Sequence, residues 1–151
     1  MKKLLQVLND FEKQAPLYLN NNKIVSEANV GWHIMHSCLV ITSITEAIRK
    51  SDPSLYKKKF SWKAFFVLLF NKIPRGKAKA PSFTQPANEV SMDMVLQQIA
   101  EARKSAELLL TADKRHYFTH PIFGDLRLPT AIKILYVHTY HHEKIIRDIL
   151  Q

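Results

Sequence analysis

The chain has 151 residues, 46% of them hydrophobic, enough for one core that buries about two-thirds of the surface an unfolded chain exposes. Lys and Arg outnumber Asp and Glu by 22 to 13, but the cations are scattered over Lys2-Lys3, Lys57-Lys58-Lys59 and Lys72 to Lys79. No basic helix or nucleic-acid-reading motif results, so the +9 charge reads as solubility rather than DNA or RNA binding. One cysteine, Cys38, excludes an internal disulfide, and the longest apolar run, Ala64 to Phe70, falls far short of the roughly 20 residues of a membrane span.

Only three glycines occur, and long segments repeat every 3.6 residues without sustained alternation, which predicts an all-α domain over residues 1–151. Leu4, Leu8 and Phe11 form one stripe of a first helix over 2–14, ended by Ala15-Pro16 because proline disfavours helical geometry in the residue before it. Met1 to Leu5 runs into Asn9-Asp10-Phe11-Glu12-Lys13 without a signal-type apolar core, so a cytoplasmic protein is expected. The asparagine-rich segment 17–27 is a connection.

Asn29 is placed to cap a second helix reaching Lys50, where Ser51-Asp52-Pro53 stops it. A stripe through Trp32, His36, Val40, Ile44 and Ala47 puts His36 inside; His33, about 60° round the helix, is the rival. A third element, Phe60 to about Lys72, is apolar on nearly every side. It reads as a short helix buried across the bundle or in a homodimer interface, in preference to one lying on an anionic membrane. The Pro/Lys-rich stretch from Ile73 to Pro86 should wrap the surface, either as a solvated loop or overhanging a site to present Arg75, Lys77 or Lys79 to an anionic substrate.

Ser91 caps the next helix, with Val95, Ile99, Ala102, Ala106 and Leu109 buried as far as Thr111. The two alanines allow either close helix approach or space for a ligand. Residues 113–127, dense in aromatics, should fold onto one end of the bundle, with His116 and His120 serving loop hydrogen bonds. Pro129 suits the first turn of the last helix, Leu128 to Leu150, whose seam is Leu128, Ala131, Leu135, His138, His142, Ile145 and Ile149. His138 and His142 thus point the same way from adjacent turns and can converge on one object between helices, such as a divalent metal bound by neutral imidazole. No carboxylate falls on the seams to orient the rings, leaving that task to backbone carbonyls or to Tyr136 and Tyr140, while His141 lies about 100° from His142 as an outer residue.

Val30-Gly31-Trp32-His33-Ile34-Met35-His36-Ser37, Pro74 to Pro81, and His120-Pro121-Ile122-Phe123-Gly124 followed by His138-Thr139-Tyr140-His141-His142 resemble, in that order, the DinB/YfiT-like superfamily of metal-binding four-helix bundles. The resemblance implies a bundle with the 60–72 helix and the Pro/Lys-rich loop inserted between its second and third helices. It also implies a metal held by His36, His138 and His142. Relatives of that kind include thiol-dependent transferases and isomerases, so the expectation is a metal-dependent enzyme, a transferase or hydrolase, using zinc, nickel or iron(II). Its substrate would be a small molecule, anionic or a low-molecular-weight thiol. The competing reading is a non-catalytic bundle acting through dimerisation or partner binding at Phe60 to Phe70.

Overall fold

A computed structural model describes residues 1–75, 84–86 and 90–151. The protein is predominantly helical. Its helices are α1 (Lys2–Gln14), α2 (Val30–Lys50), α3 (Trp62–Phe70), α4 (Met92–Leu108) and α5 (Leu128–Ile149), and β1 (Tyr117–His120) and β2 (Gly124–Arg127) form a hairpin between the last two. The four longer helices close a ring in which α1 and α2 each pack against both α4 and α5.

Helix limits follow local chemistry. The side chains of Asn29, Ser61 and Ser91 each accept an otherwise unpaired N–H in the first turn of α2, α3 and α4, and Pro129 opens α5 where its missing N–H costs nothing. Asn71 ends α3 in the left-handed conformation at φ 48°. The core is one continuous cluster. To it α1 contributes Leu4, Val7, Leu8 and Phe11, α4 contributes Val95, Ile99, Ala102 and Ala106, and α5 contributes Leu135, Ile145, Ile146 and Ile149. Ala102 and Ala106 are fully buried in this cluster, and α4 has its most extensive contact with α2.

Three sequence expectations are corrected. The buried stripe of α2 runs through His33, Ser37, Ile41, Ile44 and Ile48, with Ile34, Cys38 and Thr45 beside it; Trp32 and Val40 are half-exposed and Ala47 is exposed. Because α2 packs on both α4 and α5, its buried arc is wide enough to enclose His33 and His36 together. The third element is not buried: Ala64 alone in α3 is sealed, and Trp62, Phe65, Phe66, Leu69 and Phe70 face outward. Finally, α5 buries a carboxylate, Glu143, 1% exposed and bonded to Arg147 one turn on.

The 113–127 connection does fold onto the bundle, as a hairpin pairing Tyr117 with Arg127 and His120 with Gly124. Gly124 takes φ 74°, a turn conformation that costs a residue with a Cβ. Both histidines expected to serve loop hydrogen bonds do so. His120 Nδ1 accepts from the N–H groups of Ile122 and Phe123, and His116 Nδ1 bonds Ser51 Oγ at the end of α2.

Candidate metal centre

Antiparallel packing of α2 on α5 aligns their histidines: His33 meets His142, and His36 meets His138. Ring centroids lie 5.1 Å apart for His36 and His138, 4.8 Å for His36 and His142, and 4.7 Å for His138 and His142. One nitrogen from each of these three lies within 4.8 Å of one from each of the others. Nitrogens around a tetrahedral zinc-type ion are about 3.4 Å apart, so side-chain rotations of an ångström or so bring the trio to ligand distance.

Each ring's free nitrogen can be traced. His36 Nδ1–H donates to the Thr84 carbonyl at 2.7 Å, which leaves Nε2 as the nitrogen with a free lone pair. His142 Nδ1 lies 2.9 Å from His33 Nδ1, and His33 Nε2 is 3.0 Å from Ser26 Oγ. When Nδ1–H of His142 donates to His33 and Nε2–H of His33 donates to Ser26, the free nitrogen of His142 is again Nε2. His138 Nδ1 is sealed from water and has no hydrogen-bond partner among the described residues, a state that costs energy unless a ligand fills it. Three neutral rings, one of them carrying that orphan nitrogen, could hold a divalent cation.

Burial is the first cause that holds the rings neutral, as metal ligation requires. It lowers His138 to about 3, with His36, His141 and His120 adding repulsion, and His33 to about 4, with His36, His141 and Arg75 adding to it. Burial also takes His142 well below its ordinary value, helped by the neighbouring histidines, and lowers His36 against the opposing pull of the Thr84 bond. Trp32 forms the wall toward solvent, stacked on His36 at 4.9 Å and edge-on to His33 at 5.3 Å.

The backbone carbonyl expected to orient a ring is present, from Thr84. Tyr136 and Tyr140 do not help: they stack on each other, with Lys3 over the first and Lys144 over the second. His141 is an outer neighbour, edge-on to His142 at 5.2 Å and half-buried. Arg75 is close enough for its charge to oppose protonation of His33 and His141, but its guanidinium is paired with Asp148 of α5 at 2.6 Å rather than reaching freely over the cluster. Lys77 and Lys79 lie outside the described residues. The residue that periodicity treated only as a rival is His33, which belongs to the cluster through His142. Its signal was the His33-Ile34-Met35-His36 spacing itself, since residues three apart share a helix face.

No helix among the described residues is long and apolar enough to cross a membrane. No protein-family model, curated protein or solved structure matches the chain.

Proposed function

We propose that the protein is a metal-dependent enzyme on a DinB-like bundle, with His36, His138 and His142 as ligands and a transferase or hydrolase reaction on a small anionic or thiol-bearing substrate in the cytoplasm. The observation that carries this reading is the convergence of three neutral imidazoles from two helices, one of them with a buried nitrogen lacking a partner among the described residues. Three protein ligands leave coordination positions open, as in catalytic rather than structural sites. A bound zinc, nickel or iron(II) ion would supply Lewis acidity, making a nucleophile available near neutral pH.

The chain's own residues define the rest. Three neutral rings would leave the full charge of a divalent ion uncompensated, so the open side favours an anion or a thiolate. The thiol has to arrive with the substrate: Cys38 is fully buried, and burial pushes its pKa up. Trp32 limits water access, while Thr84 and His33 hold the rings of His36 and His142.

The test is elemental analysis of protein purified without a histidine tag. One equivalent of metal is expected, lost in a His138→Ala/His142→Ala variant that keeps its helical circular dichroism. Absence of metal after purification from replete medium, or equal retention by that variant, refutes the reading. Product formation with low-molecular-weight thiol cosubstrates then separates a transferase from a hydrolase.

A further inference from the structure

The exposed face of α3 is a feature that the candidate metal centre does not use. At about 100° per residue, Phe65, Leu69, Trp62, Phe66 and Phe70 occupy an arc of about 140° on one side of the helix, while Ala64, flanked by Val67 and Leu68, turns the other side onto α5. The five outward side chains are 44–67% exposed, and Phe60, just before the helix, is 68% exposed. Their rings lean on one another, Trp62 on Phe60 at 4.7 Å and Phe65 on Phe66 at 5.5 Å, which leaves their outer surfaces to water. A contiguous apolar patch of this kind marks an interaction surface.

The charge along this stretch of the chain has one sign. Lys57, Lys58 and Lys59 precede the patch, Lys63 edges it and Lys72 follows it, all exposed, and the sequence from 53 to 88 contains no Asp or Glu. Asp125 of β2 attracts Lys57 and Lys59, whereas Lys58, Lys63 and Lys72 pair with no described carboxylate. A second copy docking through the same face would bring two sets of lysines together, so the charge opposes self-association. An anionic bilayer complements both features, since aromatic rings settle at the headgroup boundary and lysines reach lipid phosphates. Nine residues span about 13 Å, which suits a helix lying in the plane of the surface.

We propose that α3 docks the protein on anionic lipid bilayers, with Trp62, Phe65, Phe66, Leu69 and Phe70 at the headgroup boundary and Lys58, Lys63 and Lys72 against lipid phosphates. The experiment is flotation with vesicles of phosphatidylcholine alone or with one-third phosphatidylglycerol, in moderate salt. Full-length protein is expected to float with the anionic vesicles and at least tenfold less with the neutral ones. Each lysine near such a surface contributes about fivefold, so Lys58→Gln/Lys63→Gln should weaken binding about 25-fold. Phe66→Ser/Leu69→Ser, at exposed positions that spare the core, should abolish flotation without lowering the unfolding temperature. Three results overturn the proposal: no flotation of the wild type, flotation unchanged by the serine variant, or a dimer in sedimentation equilibrium that the serine variant dissociates while vesicles bind neither protein.

Discussion

Metal-free protein should lose stability as the pH falls from 7 to 5, and the size of the loss follows from the histidine cluster. His138 and His33 are held neutral in the folded state down to about 3 and about 4, against an ordinary value of 6.5. Below pH 6.5 the unfolded chain takes up protons that the folded protein refuses, so their contribution is full above that pH and declines as the folded values are approached. Each such ring loses up to about 1.4 kcal/mol per pH unit, or about 2 kcal/mol between pH 7 and 5. The two together reach about 4 kcal/mol, a fall of roughly 8–16 °C in Tm for a domain of this size, and the other histidines lowered by burial, His36, His120, His141 and His142, add to it. Thermal unfolding followed at 222 nm in chelator at pH 7, 6 and 5 measures it, and this window stays above the range where most carboxylates titrate. His138→Gln, which removes one titrating ring, should shed about 2 kcal/mol of the pH dependence. A Tm that is flat across the window, or a His33→Gln/His138→Gln double variant with the wild-type pH profile, would refute the assignment of neutral buried rings.

Other consequences are simpler to read. Excess metal at about 100 times its Kd should raise Tm by roughly 5–11 °C at pH 7, since ligand linkage then contributes about 2.7 kcal/mol, and the rise should shrink at pH 5 where protons compete. His33→Ala should lower metal affinity about 10–100-fold by freeing His142 to turn, measured by titration against a competing chelator; unchanged affinity would remove His33 from the site. Leu135→Ala, at a fully buried position of α5, should cost about 2–5 kcal/mol in urea unfolding. Asn29→Ala removes the cap on the Trp32 N–H and should cost about 1 kcal/mol, with faster amide exchange in the first turn of α2.

What periodicity and capping chemistry could reach, they reached. The starts of α2, α4 and α5 lie where Asn29, Ser91 and Pro129 put them, and the seam of α5 brought His138 and His142 to one side because four-residue spacing on a helix dictates it. The misses share a cause. A wheel that is apolar all round, as between Trp62 and Phe70, does not say which face will find a partner, and here α5 takes only the narrow one. Trp32 misled the reading of α2 because a large aromatic looked like core when it forms the wall over His36. Glu143 escaped notice because a carboxylate reads as solvent-facing in a sequence although here it is buried and bonded to Arg147, and Thr84 because its bond to His36 joins residues 48 apart in the chain.

The opposed directions of α2 and α5 would give a metal-loaded cluster a mechanical role beyond chemistry. A cation gripped from both rods acts as a rivet: sliding either helix by one turn, about 5.4 Å, would tear at least one ligand away. Loading the site should therefore slow hydrogen exchange well beyond the histidines, out to Ile48 at one extremity of the seam and Leu128 facing it from the other rod.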